Sequence, residues 1–189
     1  MRKGAEVLER DPHGEKVLRL TDGSILKLFR RKRLLSSAAW SPYAQRFADN
    51  AAVLARMGIA VPEIIAVFRV QELARDAVHY RPLPGLTLRE MVRAGINPEL
   101  ERRLKDKLTR LVIFLHDQGV YFRSLHIGNV VCTPEKELGL IDFSDLRIHP
   151  WPLGKYLRAR NVRRMQGIAT EREWLNLDAI INARQPVEN

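Results

Sequence analysis

The feature that most constrains this chain is a stretch that reads loop, strand, turn, strand. It runs Tyr121-Phe122-Arg123-Ser124-Leu125-His126-Ile127-Gly128-Asn129-Val130-Val131 and resumes at Leu140-Ile141-Asp142-Phe143-Ser144-Asp145. Two short apolar strands, over 130–132 and 138–141, flank the polar turn Thr133-Pro134-Glu135-Lys136, which is a hairpin pattern. The amide of Asn129 leaves the start of the first strand, and the carboxylate of Asp142 leaves the end of the second. A tight hairpin sets those two ends side by side. An amide oxygen and a carboxylate at close range are hard donors, the kind that Mg2+ carrying a nucleotide phosphate prefers. The plainer alternative is that Asn129 and Asp142 cap a surface hairpin.

The same residues resemble the catalytic loop and metal-binding Asp segment of the protein-kinase-like fold, through His126-Ile127-Gly128-Asn129 followed by Ile141-Asp142-Phe143-Ser144. In small-molecule and sugar kinases that loop runs His-Gly-Asp-Leu-His-Pro-Gly-Asn. Here the string is Phe122-Arg123-Ser124-Leu125-His126-Ile127-Gly128-Asn129. The branch it resembles is that of the bacterial lipopolysaccharide core (heptose and Kdo) kinases, with short relatives labelled toluene tolerance proteins. The likeness runs over most of the chain, but only the catalytic segment is specific. It implies ATP and Mg2+ as cofactors, with Asn129 and Asp142 on the metal. The general-base position falls on Ser124, whose neutral hydroxyl cannot take a proton near pH 7. Asp145, the closest carboxylate in sequence, is the candidate to stand in for it.

Upstream, strands over 5–10 and 15–20 are joined by Asp11-Pro12-His13-Gly14, and a turn at Thr21-Asp22-Gly23-Ser24 leads to a third strand over 25–29. Lys27 lies inside that apolar third strand. A lysine there is costly to bury without an anionic partner, although it can also sit on the outer face. By resemblance Lys27 contacts the nucleotide phosphates. The turn at 11–14 has a single glycine, so no glycine-rich phosphate loop is evident. Ser41-Pro42 opens a helix whose apolar face is Ala44, Phe47, Ala48, Ala51, Leu54 and Ala55, ended by Gly58. Kinases carry a Glu on this helix to pair with the strand lysine. Here Asp49 is the helix's only acid, so either Asp49 substitutes or Lys27 is held by something else.

Strands over 63–70 and 77–83 follow, and by resemblance residues 80–84 form the hinge over the adenine, with Tyr80 and Leu83 as nucleotide contacts. Thr87-Leu88-Arg89-Glu90 has a capping-box pattern and Gly95 stops the short helix it starts. Asn97-Pro98 opens a longer helix with Leu100, Leu104, Leu108, Leu111 and Leu115 on its apolar stripe, and Gly119 closes it. His116 reads as a helix C-terminal residue rather than a ligand, and His126 as a structural residue of the loop. Past Asp145, His149-Pro150-Trp151-Pro152 leads to a basic helix over 154–165. Thr170-Glu171-Arg172-Glu173 then caps a last amphipathic helix carrying Trp174, Leu177 and Ile181, and 185–189 read as a loose tail.

The 189 residues carry a formal net charge of +10, concentrated at Arg30-Arg31-Lys32-Arg33 and in the segment with Lys155, Arg158, Arg160, Arg163 and Arg164. Such clusters attract anionic membrane surfaces, phosphorylated glycolipid or nucleic acid, or are simply a solvated face. No zinc-finger spacing, RNA-binding aromatic signature or long disordered arm points to nucleic acid. The single Cys132 excludes an internal disulfide and reads as a buried hydrophobe in a reducing compartment. No signal peptide is visible, and no apolar run is long enough to span a bilayer.

The fold expected is α+β, protein-kinase-like and two-lobed. Residues 1–81 would form an antiparallel sheet with one helix, and residues 82–189 a trimmed, mainly helical lobe holding the catalytic hairpin. The function the resemblance implies is ATP-dependent transfer of a phosphoryl group to a sugar hydroxyl of the lipopolysaccharide core. It implies a cytoplasmic protein, peripheral on the inner face of the cytoplasmic membrane. The main alternative is a pseudokinase that binds nucleotide or glycolipid without turnover, favoured by Ser124 and the missing helix Glu. A basic nucleic-acid-binding module is the third reading.

Overall fold

The computed structural model describes residues 3–30 and 42–183. The chain divides into two compact units, Met1–Leu83 and Pro84–Asn189.

The first unit contains β1 (Glu6–Asp11), β2 (Gly14–Arg19), β3 (Ile25–Arg30), α1 (Tyr43–Arg56), β4 (Glu63–Val70) and β5 (Arg75–Arg81). The strands pair antiparallel in the order β1-β2-β3-β5-β4. Side chains alternate across a strand, so β3 sorts its residues onto two faces. Leu26 and Leu28 join Leu18, Leu20 and Ala77 in one buried cluster. Ile25, Lys27 and Phe29 take the other face, where Phe47 of α1 lies 6.4 Å from the Phe29 ring and 5.3 Å from that of Tyr80. On α1, Ala44, Phe47, Ala51 and Leu54 are buried, whereas Ala48 is half-buried and Ala55 exposed, so the apolar face is narrower than its composition suggests. Gly58, at φ 77°, ends the helix: its amide reaches Ala55 O and that of Ile59 reaches Leu54 O, both at 3.0 Å. The proposed cap Ser41 lies outside the described residues, as do Arg31, Lys32 and Arg33. β5 stops at Arg81 rather than at 83, because Pro82 and Pro84 offer no amide to continue a ladder.

The second unit contains β6 (Leu86–Thr87), α2 (Leu88–Arg93), α3 (Pro98–Asp117), β7 (Val120–Tyr121), β8 (Val130–Cys132), β9 (Leu138–Leu140), β10 (Arg147–Ile148), α4 (Lys155–Gln166) and α5 (Leu177–Asn182). The Thr87 capping box forms as its spacing predicts. Asn97 caps α3 by accepting the amides of Glu99 and Leu100 at 2.9 and 3.3 Å. The buried stripe of α3 is Leu104, Leu108, Val112 and Leu115; Leu100 and Leu111 are only half-buried. Gly119 is obligatory, since at φ 73° a β-carbon would stand 2.3 Å from the His149 carbonyl oxygen. β8 is the middle of a three-stranded sheet between β6 and β9, and β7 pairs with β10. Cys132 is buried in β8, where burial pushes its thiol pKa up, as befits a small hydrophobe.

Two expectations fail here. The segment after residue 168 is not one capped helix but a 3-10 turn, Ala169–Trp174, followed by the short α5. Asn176 supplies the cap instead, accepting the Ala179 amide at 3.0 Å, because Glu171 is drawn inward. The second concerns α4, whose basic residues do not form a uniform surface. Arg158 is 1% exposed. Its Nε donates to Leu153 O at 2.7 Å and its Nη2 to Asp117 Oδ1 at 2.5 Å. Lys155, Arg160 and Arg163 are exposed; the side chain of Arg164 lies outside the described residues. Among the described residues no helix is long and apolar enough to cross a membrane.

Candidate active site

The expected hairpin forms, with Val130 opposite Leu140 and Cys132 opposite Leu138. Its turn is closed by Thr133 N to Glu137 O at 2.9 Å and Lys136 N to Thr133 O at 2.8 Å. The open end is held by Ile141 N donating to Asn129 O at 3.0 Å, so Asn129 and Asp142 leave the two strands as neighbours. Asn129 is buried, and its Nδ2 donates to the Ser124 carbonyl at 3.0 Å. That bond fixes the amide and leaves its oxygen as the remaining donor to a metal. Asp142 adopts φ 52°, a left-handed conformation that costs a non-glycine residue energy and concentrates at functional sites. The fully buried Phe143 anchors the chain just after it.

Ser124 belongs to the same set. Its Oγ donates to Asp145 Oδ1 at 2.7 Å, and both residues are half-buried. The carboxylate that the sequence nominates therefore touches the serine on which the resemblance puts the general base. Ser124, Asn129 and Asp145 are tied into one hydrogen-bonded unit, with Asp142 three residues from Asp145 in a loop closed by Leu146 N to Phe143 O at 3.2 Å.

A further buried element supports the loop, one that local sequence spacing does not show. Glu171 is 1% exposed; its Oε1 accepts from Arg89 Nε at 3.0 Å and Nη2 at 2.5 Å, and its Oε2 accepts from Ile127 N at 3.2 Å. A β-carbon on Gly128 would meet Arg89 Nη1 at 2.6 Å, so a larger residue there would have to displace the guanidinium that Glu171 holds. The 127–129 turn is thus clamped from the far end of the chain. The sequence signal was an acid in Thr170-Glu171-Arg172-Glu173, which local spacing assigned to a helix cap. His116 is also more deeply placed than expected. It is fully buried, with Nε2 2.9 Å from Asn161 Oδ1, and burial pushes its pKa down to about 4, so it is neutral rather than a cation at a helix end.

In the first unit Lys27 is buried at 6% exposure, with Nζ 5.6 Å from the Phe29 ring centroid and 5.8 Å from that of Phe47. The outer-face alternative for Lys27 is therefore excluded. Asp49 does not substitute for the missing Glu: it is exposed and accepts from Gln45 Nε2 at 2.8 Å. The Phe47 ring of α1 is one of the groups against the lysine. Tyr80 packs inward on Phe47, and Leu83 is half-buried beyond the end of β5. The β1–β2 turn is fastened by the buried Arg75, which donates to His13 O at 2.7 Å, Glu15 O at 2.7 Å and Asp11 Oδ1 at 3.1 Å.

The donor chemistry suits Mg2+ rather than a softer metal. Among the described residues no group of three or more His, Cys, Asp or Glu side chains is gathered to hold an ion. One oriented amide oxygen and one carboxylate make a partial oxygen set, which a hard cation completes with water and phosphate oxygens.

No family model and no curated protein matches this chain. Solved structures do. A crystal structure of monomeric WbdD is 19% identical, with a TM-score of 0.51, over 84% of this chain and 35% of that one. A medium-resolution structure of WbdD, described as a bifunctional kinase-methyltransferase, is 22% identical with a TM-score of 0.47, over 78% of this chain and 31% of that one. The chain thus spans about a third of the length of the solved chains it matches. At this identity the likeness speaks to fold alone. The chain has an α+β, protein-kinase-like fold.

Proposed function

We propose that the chain is an ATP-dependent phosphotransferase acting on a sugar hydroxyl of the lipopolysaccharide core, with Asp145 working through or beside Ser124 as the proton acceptor. The observation that carries this reading is the 2.7 Å hydrogen bond from Ser124 Oγ to Asp145 Oδ1, next to an amide and a carboxylate suited to Mg2+. The acceptor hydroxyl loses its proton to the Asp145 carboxylate, its oxygen bonds to the γ-phosphorus, and the bond from that phosphorus to the bridging oxygen of ADP breaks. When bound, Mg2+ would neutralise charge on the phosphates; Asn129 and Asp142 would hold it. Lys27 would contact the phosphates, and Tyr80 and Leu83 the base. The acceptor class and a location on the cytoplasmic face of the membrane rest on the resemblance of the 122–129 loop, with the exposed basic residues as compatible support.

One observation favours a second reading, a nucleotide- or glycolipid-binding pseudokinase. The one acid of α1, Asp49, is exposed and turned to Gln45, so the helix presents no Glu of the kind kinases carry there. Calorimetric titration with ATP, with and without Mg2+, tests the site. Asp142→Asn is expected to weaken Mg2+-dependent binding more than metal-free binding, because a charged ligand to the ion is lost. Equal effects under both conditions would remove Asp142 from a metal site.

A further inference from the structure

A second constellation lies in the same unit. Tyr121, Arg123, Arg147, His149, Leu157 and Arg160 line a cavity of about 280 Å3. Three arginines converge on it from three segments: the loop after β7, the strand β10, and α4. Their supports are fixed. Tyr121 and Arg147 are register partners in the β7–β10 ribbon, and His149 N donates to Gly119 O at 2.9 Å. Helix α4 is pinned beside them by Asn161 Nδ2 donating to Phe122 O at 2.6 Å and by the buried Arg158–Asp117 pair.

No carboxylate of the described residues lines this cavity. Arg19, Arg75, Arg81, Arg89, Arg103 and Arg158 each have an acidic partner. Among the described residues Arg123, Arg147 and Arg160 have none, as is also true of exposed arginines such as Arg102 and Arg110, but these three share one cavity. Arg123, Arg147 and Arg160 are exposed, so water screens much of their mutual repulsion, and an anion seated among them lowers what is left. Guanidinium forks match phosphate oxygens in geometry and charge. The cavity is smaller than the usual range for a drug-sized ligand, so it suits a single phosphate with part of a sugar ring against Tyr121 and Leu157 rather than a whole nucleotide. Its lining also neighbours Ser124 and Asp145 along the chain, since Arg123 precedes Ser124 and Arg147 follows Asp145 by two residues.

We infer that this cavity seats the phosphate of a phosphorylated sugar acceptor, presenting one of its free hydroxyls toward Ser124 and Asp145. The seat's assignment to an acceptor rests on the phosphotransferase reading; its affinity for a phosphate does not. The test is calorimetric titration, at low ionic strength and without ATP or Mg2+, using inorganic phosphate, a hexose 6-phosphate and the unphosphorylated hexose.

The two phosphates are expected to bind saturably and the hexose not. Arg147→Gln and Arg160→Gln should each weaken phosphate binding by roughly tenfold or more, the scale of one charge-assisted hydrogen bond. Arg102→Gln, an exposed arginine of α3, should leave it unchanged. Mg2+-ATP binding should survive both cavity substitutions. An equal loss with Arg102→Gln, or phosphate binding indifferent to Arg147 and Arg160, overturns the inference. So does retention of these arginines' effect on anionic vesicles only, which would make the cavity a membrane contact. Arginine-dependent phosphate binding in a protein that fails to bind Mg2+-ATP upholds the seat and refutes the catalytic reading alone.

Discussion

Replacing Arg158 with methionine separates the buried role seen for this residue from the surface role its sequence context suggests. The side chain is 1% exposed and its guanidinium holds Asp117 Oδ1 at 2.5 Å, Leu153 O at 2.7 Å and Ile180 O at 3.4 Å. Methionine keeps much of the apolar stem but leaves the Asp117 carboxylate and the Leu153 carbonyl without their donor. Removing one partner of a buried pair costs about 3–5 kcal/mol. The Asp117 side chain is 20% exposed, so water recovers part of the loss, and about 3 kcal/mol is expected. Against a typical domain stability of about 5–15 kcal/mol, that is a large fraction. Equilibrium urea unfolding of the parent, Arg158→Met and Arg160→Gln measures it. The exposed Arg160→Gln should fall within about 0.5 kcal/mol of the parent. A loss below about 1 kcal/mol for Arg158→Met, the range of a surface ion pair, would refute the reasoning.

Glu171→Gln keeps the shape of the clamp but withdraws its charge from Arg89 and weakens acceptance from the Ile127 amide. A stability loss of about 1–3 kcal/mol is expected by urea unfolding. A subsequent Arg89→Met should add little, whereas fully additive losses would show that the two residues act separately. For His116, the folded pKa of about 4 lies below the ordinary 6.5, chiefly through burial, with Arg158 acting in the same sense and Asn161 opposing. The unfolded chain therefore binds the proton better, and the stability conferred is complete above about pH 6.5 and lost as pH falls toward 4, about 3 kcal/mol in all. Unfolding midpoints across that window should flatten in His116→Gln, and an unchanged slope would contradict the assignment.

What the sequence revealed and what it hid divide along a physical line. The hairpin with Asn129 and Asp142 at its ends was legible because register, turn residues and strand alternation are local properties. The capping box at Thr87 and the cap at Asn97 were legible for the same reason. The buried roles of Glu171 and Arg158 were not, since each is decided by partners 82 residues away at Arg89 and 41 away at Asp117. A charged residue carries no mark in sequence saying that it will be buried and paired. β6, the strand that completes the β6-β8-β9 sheet, is not legible because two residues are too few to show a period. The nomination of Asp145 came from proximity in the chain; the 2.7 Å contact with Ser124 gives it a geometric basis.

The central claim, that Asp145 supplies the proton acceptor for phosphoryl transfer, is tested most directly by turnover with Mg2+-ATP and core oligosaccharide in four proteins. These are the parent, Asp145→Asn, Ser124→Asp and the double variant. General-base assistance is worth roughly 10²- to 10⁴-fold. The loose transition state of phosphoryl transfer puts the expected loss in Asp145→Asn near the lower end, about 10²-fold. Ser124→Asp alone sets two carboxylates in contact, where each disfavours ionisation of the other. Recovery is therefore expected in the double variant, in which the carboxylate introduced in place of Ser124 would accept a hydrogen bond from the new amide. Turnover in Asp145→Asn equal to the parent would contradict the account. So would ATP binding by all four proteins with transfer by none, which would make the chain a pseudokinase.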